Sequence, residues 1–86
     1  MGGSSNTMKT ISVNCRGLKC PIPIVKTRLA LNTLQKDDEL VIFADDPTFS
    51  TEFDRFCYLA DIQIISKNEQ FDGNSKVQIY HVKVLK

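Results

Sequence analysis

The residues with most chemical potential sit together in the stretch Asn14-Cys15-Arg16-Gly17-Leu18-Lys19-Cys20-Pro21-Ile22-Pro23. A cysteine followed at once by proline, with another proline two residues later and an apolar-periodic run behind it, reads as the start of a helix. Proline suits the first helical position because its fixed φ matches the helix and its missing N–H would be unpaired there anyway. Pro21 is then the first helical residue and Cys20 the N-cap, where unpaired amides and the positive end of the helix dipole converge. A thiolate is stabilised in such a place, and Arg16 and Lys19 add cationic charge nearby. Cysteine pKa values in surroundings of this kind fall from ~8.5 into a range of roughly 3.5–7.5. The chemistry on offer is that of a sulfur nucleophile. The alternative for the same residue is a small apolar filler between strand and helix, with Pro-x-Pro only a stiff lead-in.

Other groups admit chemistry with less support. Cys15 and Cys20 could form a resolving pair, making the site a dithiol switch; the alternative is a strand-end residue that happens to be cysteine. Cys57 lies close to an apolar helical stripe and reads as a core thiol. A zinc site needs about four well-spaced ligands, and Cys15, Cys20, Cys57 and His81 give the number without any C-x2-C or H-x3-H pair. His81 falls in an expected strand and reads as a surface or hydrogen-bonded residue, and no cysteine-protease signature accompanies it. Asp45 and Asp46, directly before Pro47, could tune a partner or orient a donor. Their ordinary duty is a turn, with Asp46 as a helix N-cap.

The elements that must hold these residues can be read in order. Lys9 to Asn14 alternates, with Ile11 and Val13 on one face, as a short first strand does. Gly17 permits a tight turn at positive φ. A helix is expected from Pro21 to about Leu34, with Ile24, Thr27, Leu31 and Leu34 facing a sheet. A second stripe, Ile22, Val25 and Leu29, is expected to pack on a neighbouring helix; the sharper alternative is a docking surface beside Cys20. Gln35-Lys36-Asp37-Asp38 is a polar turn. Glu39 to Ala44 carries the run Leu40-Val41-Ile42-Phe43-Ala44, which reads as a central strand buried on both faces or covered at one end. Strand, helix and strand at this spacing predict a parallel pair with a crossover, bringing Cys20 and Asp45 to the same sheet edge. A second helix opens at Asp46-Pro47, with Phe49, Phe53, Phe56 and Ala60 toward the core. Ile62 to Lys67, a turn at Phe71 to Ser75, and Lys76 to Leu85 form a hairpin. In its last strand Val77 and Ile79 follow one alternation phase and Tyr80, Val82 and Val84 the other, for which a bulge is one explanation. The order is βαβαββ, an α/β (α+β) two-layer sandwich.

The chain has 86 residues, a formal net charge of +1 and three cysteines. A length of this order supports one small core. Near-neutral charge argues against a general grip on nucleic acid, so no direct stable nucleic-acid binding is expected, although Lys and Arg scattered along the first helix leave an RNA-associated or protein-binding regulator as a rival. No apolar run is long enough to span a bilayer and no secretory signal is visible, so no membrane association is expected. An odd cysteine count without a signal fits reduced thiols in the cytoplasm. Residues 1–8 read as a disordered tail of the kind cloning leaves, with residues 9–86 as one domain.

Cys20-Pro21-Ile22-Pro23, preceded by Arg16-Gly17-Leu18, resembles the Cys-Pro-x-Pro signature of the TusA/SirA family of small sulfur-carrier proteins. Ala44-Asp45-Asp46-Pro47 and the pair Phe56-Cys57 fall where that family has a similar acidic-Pro turn and Phe-Cys pair. The likeness runs from about Lys9 to the end. It implies a mixed four-stranded sheet with both helices on one side, a fold also similar to a translation initiation factor domain. It further implies that Cys20 accepts sulfane sulfur as a persulfide from a pyridoxal-phosphate cysteine desulfurase and yields it to a downstream sulfur-relay protein. In the best-known branch that relay leads to 2-thiouridine in tRNA; others serve sulfur oxidation, molybdenum cofactor supply or selenium handling. The carrier itself would hold no cofactor and no metal. The expected site is Cys20, supported by Arg16, Gly17, Lys19, Pro21, Pro23 and Asp45. Two departures stand out: Cys15 occupies a place where related sequences more often have a small non-thiol residue, and Asn14 replaces a preceding Asp. The second puts in doubt any role of that carboxylate in partner recognition or the turn.

Overall fold

The computed structural model describes residues 9–19 and 21–85; Cys20, the tail 1–8 and Lys86, with the readings made of them, lie outside the described residues. The elements run β1 (Thr10–Cys15), α1 (Ile22–Leu31), β2 (Glu39–Ala44), α2 (Phe49–Ala60), β3 (Ile62–Asp72) and β4 (Ser75–Val84). They build one four-stranded sheet in the order β1-β2-β4-β3. β1 lies parallel to β2, with Cys15 opposite Ala44, and β4 is antiparallel to both β2 and β3. The βαβαββ order and mixed sheet are as expected, with both helices on one face.

That face is closed by a single apolar cluster. Leu40, Ile42 and Ala44 of β2 and Tyr80, Val82 and Val84 of β4 meet Leu31 and Leu34 from one side and Phe49, Phe53 and Phe56 from the other. Phe53 is the hub: its ring stacks on Phe49 at 4.9 Å and leans on Tyr80 at 4.8 Å. Removing a buried aromatic of this kind costs the transfer energy plus a cavity. Among the described residues no layer covers the opposite face, which corrects the reading of β2 as buried on both faces or covered at one end. Its residues alternate, with Leu40, Ile42 and Ala44 buried and Val41 and Phe43 only half-buried.

Several boundaries move for local reasons. The helix begins at Ile22, not Pro21: Pro21 takes the N-cap position, its carbonyl accepting the first helical bond from the Val25 N–H at 3.0 Å. The Ile22 N–H instead closes back on the Lys19 carbonyl at 2.9 Å. At the other end the last turn tightens, with Thr33 bonding Ala30 and Leu34 bonding Leu31, so Leu34 stays in the core beyond the regular helix. Asp46 is not the cap of α2. That position belongs to Thr48, while the Asp46 Oδ1 accepts both the N–H and the hydroxyl of Thr48 at 2.9 Å and so shapes the turn through Pro47.

β3 runs on to Asp72, well past the expected end at Lys67, and the turn shrinks to Gly73-Asn74. Gly73 at φ +66 supplies what a II′ hairpin turn demands at its first central residue. The bulge lies in β3 between Ile64 and Ser66, and β4 itself runs without interruption against β2. Both apolar phases of β4 are therefore real. As an inner strand it puts Tyr80, Val82 and Val84 under the helices and Val77 and Ile79 on the open face.

Asp38 fastens the start of β2 to its surroundings. Its carboxylate accepts the Gln35 N–H at 2.8 Å and the Lys9 N–H at 3.0 Å, and its carbonyl accepts from Val84 at 2.9 Å. The Gln35 and Lys9 amides hold the carboxyl below the usual carboxylate range. A lowered folded pKa gives stability that is complete above the unfolded value of ~3.9 and is lost as pH falls through the folded one. In urea titrations across acid pH, the stability gap between the native protein and Asp38→Asn is expected to be full above pH ~5 and to shrink below pH ~4. Phe53→Ala is expected to cost about 3–5 kcal/mol in the same assay at neutral pH.

Candidate functional site

The carboxyl ends of β1 and β2 lie side by side, and the loops leaving them are tied to each other. After Cys15 the chain turns sharply: the Leu18 N–H donates to the Cys15 carbonyl at 3.2 Å, with Gly17 at φ +81. A turn with that φ at its third residue favours glycine for its backbone alone, since a Cβ there would meet nothing within 4 Å. The Asn14 Oδ1 accepts the Arg16 backbone N–H at 3.0 Å and its Nε–H at 3.1 Å, so an amide does the turn-shaping that was in doubt without Asp. Asp45, one residue past β2, accepts the Gly17 N–H on Oδ1 at 3.0 Å and on Oδ2 at 3.1 Å.

These loops enclose a cleft of about 410 Å³ lined by Gly17, Leu18, Lys19, Asp45, Asp46 and Pro47. The structure thus brings together three of the expected supporting residues, Gly17, Lys19 and Asp45. Pro21 is exposed at the N-cap, and Pro23 is fully buried. The Pro23 carbonyl accepts the Thr27 hydroxyl at 2.8 Å, with the Cys15 Sγ at 3.9 Å, so this proline anchors the first turn of α1 to the core. Arg16 goes elsewhere. Its guanidinium holds Asn14 and pairs with Asp72 Oδ2 at 3.7 Å, in a separate groove against Phe43, Phe71 and Val77 on the open face. Leu18 lines the cleft and Asn14 shapes the turn beside it, two roles that the expected supporting set did not include; the signal for Asn14 was an Asx residue two positions before a turn residue.

The helix N-terminus offers fewer free amides than a generic one. Pro23 has no N–H, and that of Ile22 is spent on Lys19. Lys19 is exposed and lines the cleft, which leaves it as the cation placed next in sequence to Cys20.

The two described thiols are poor nucleophiles. Cys15 has no exposed surface, and burial pushes its thiol up, partly opposed by the Lys26 charge. Cys57 is buried on the inner side of α2, and burial together with Asp54 pushes it to about 12. Cys57 is the core thiol expected. Cys15 is a strand-end core residue. His81 lies on the open face, its Nε2 2.5 Å from Glu39 Oε1, on the opposite side of the sheet from Cys15 and Cys57. Among the described residues no group of three or more His, Cys, Asp and Glu could hold a metal.

The stripe Ile22, Val25 and Leu29 does not pack on a neighbouring helix as expected: these side chains are 50%, 49% and 61% exposed. α2 instead meets α1 through Arg28, whose guanidinium lies 5.8 Å from the centre of the Phe56 ring, and through Leu31. The stripe is left as an uncovered apolar surface on the first turns after Cys20.

Comparison with known proteins bears on the family and on the fold. A sequence model of the family Sulfurtransferase TusA matches residues 11–83. Two proteins of Neisseria meningitidis, from serogroup A and serogroup B strains and each named "Putative sulfur carrier protein", are 31% identical over 74 residues, covering 86% of this chain and 99% of theirs. The crystal structure of a SirA-like protein from Desulfitobacterium hafniense superposes with a TM-score of 0.66 at 16% identity, covering 88% of this chain and 99% of that one, and shares the fold. The chain belongs to the TusA sulfurtransferase family.

The burial of the two thiols has a direct consequence. In the folded protein at pH 8, iodoacetamide is expected to modify Cys15 and Cys57 at least tenfold more slowly than in urea, as peptide mass mapping would show. Rapid labelling of Cys15 in the native protein would contradict its assignment to the core.

Proposed function

We propose that the protein is a sulfur carrier that holds sulfane sulfur as a persulfide on Cys20. The observation that carries this reading is the family match over residues 11–83, which contains Cys20-Pro21-Ile22-Pro23. The other two thiols are buried with raised pKa, leaving Cys20 as the residue on which the reading depends. Thiolate exchange is the chemistry. The Cys20 thiolate attacks the terminal sulfur of a donor persulfide, a new S–S bond forms, the donor's S–S bond breaks and the donor leaves as its thiolate. In the second step an acceptor thiolate attacks the terminal sulfur on Cys20 and releases the Cys20 thiolate. No external oxidant is needed, because the sulfane sulfur moves between thiols at one oxidation level.

The donor that fits is a pyridoxal-phosphate cysteine desulfurase, and the acceptor a further sulfur-relay protein, with tRNA 2-thiouridine as one destination. Lys19, next to Cys20 in sequence, would stabilise the anion, and the exposed stripe Ile22, Val25 and Leu29 would give a partner apolar area on the helix that follows the Cys-Pro-x-Pro segment. Arg16, held by Asn14 and Asp72, would contribute to the local field more than to direct contact. No helix among the described residues is long and apolar enough to cross a membrane. A cytoplasmic location, where thiols stay reduced, suits the proposed exchange.

The test is to incubate the protein with a cysteine desulfurase and cysteine and examine it by intact and peptide mass spectrometry. One added sulfur, labile to dithiothreitol and mapped to Cys20, is the expected result, lost in Cys20→Ser and kept in Cys15→Ser. An adduct that persists in Cys20→Ser would move the site; loss in both variants would favour the dithiol switch.

A further inference from the structure

The contact that joins the two loops of the cleft has a geometry that bears on transfer itself. Gly17 stands three residues before Cys20, and its N–H is shared by both oxygens of Asp45 at 3.0 and 3.1 Å. The same loop is held from its other side by the Asn14 side chain and by the Leu18–Cys15 bond. Asp45 is carried on the residue after Ala44, whose strand is locked in register with β1, so the carboxylate is delivered from a fixed platform. The Asp45–Gly17 bond is therefore a cross-strap between two crossover loops, made by a side chain that lines the cleft.

We propose that Asp45 is a positioning residue for sulfur transfer at Cys20. Its carboxylate fixes the Gly17 amide, and with it the course of the loop that leads into the Cys-Pro-x-Pro segment. The proposal rests on the carrier reading and deepens it. Thiolate attack on a persulfide is sensitive to the placement of the incoming sulfur, and a loose approach loses rate through orientation. A hydrogen bond of ordinary strength sets the loop's course here because both ends are already constrained, Gly17 by its turn and Asp45 by the end of β2. The bond, not the charge, is the working part. A side chain of the same shape that keeps one acceptor oxygen but no charge preserves the function, and one that removes the acceptor loses it.

That distinction makes the test. Asp45→Asn and Asp45→Ala are compared with the native protein in amide hydrogen exchange, in ¹⁵N relaxation, and in sulfur transfer from a cysteine desulfurase. In Asp45→Ala the Gly17 amide is expected to exchange about tenfold faster, measured against the core amide of Ile42 so that any global loss of stability cancels. Order parameters of Leu18 and Lys19 are expected to fall from about 0.85 toward 0.6. The single-turnover rate of sulfur transfer at saturating desulfurase should drop about tenfold with half-saturation unchanged, because orientation and not docking is lost. Asp45→Asn should stay within about twofold of the native protein in all three. A defect in Asp45→Asn equal to that in Asp45→Ala would overturn the proposal in favour of a charge effect on the partner. Unchanged Gly17 exchange in Asp45→Ala would overturn it outright. A native protein that takes no sulfur on Cys20 would defeat the carrier reading instead, and the exchange and relaxation results would still decide whether Asp45 holds the loop.

Discussion

Parallel pairing of β1 with β2, in register from Thr10 opposite Glu39 to Cys15 opposite Ala44, is the constraint from which the rest follows. A parallel pair requires a crossover, and α1 is the crossover, so the loop after β1 and the loop after β2 must emerge at the same edge. Backbone groups there have left the sheet ladder and need other partners. Asn14 and Asp45 supply them from side chains, and the Leu18–Cys15 bond closes the turn. The cleft exists because two loops that are distant in sequence are stitched together at this edge.

One core serves all of this. A chain of 86 residues has material for one buried layer, and the helices spend it on one face of the sheet. The core also takes up thiols. Two of the three cysteines are placed inside it, where burial keeps them protonated. Pro23 joins the core to the site, since its ring is buried while its carbonyl holds the Thr27 hydroxyl. The outer stripe of α1 is left uncovered because α2 approaches through Arg28 and Leu31 and does not reach it.

Much of the fold was legible because it rests on local periodicity. β2 was bounded correctly by its apolar run, and the aromatic spacing of α2 named Phe49, Phe53 and Phe56 as core. Boundaries failed where the deciding bond is made to a distant or atypical partner. β3 outran its apolar pattern because Asn68, Glu69 and Gln70 are held by cross-strand pairing with Ile79, Gln78 and Val77, which composition does not encode. The helix start shifted because the Ile22 amide chose the Lys19 carbonyl. Arg16 is close to Cys20 along the chain, yet its long side chain is captured by Asn14 and by Asp72 on the far hairpin.

The sequence by itself determined the order of elements, the core-facing stripes, the turn at Gly17 and the family, because each depends on residues within one or two turns of one another or on a linear motif. Only the tertiary structure decided that Cys15 is buried, that the Ile22–Val25–Leu29 stripe is bare, and that Asp45 grips Gly17 across 28 positions of chain. Those outcomes depend on which surfaces meet after the crossover closes. That is settled by the geometry of packing one sheet face under two helices, and a one-dimensional pattern carries no record of it.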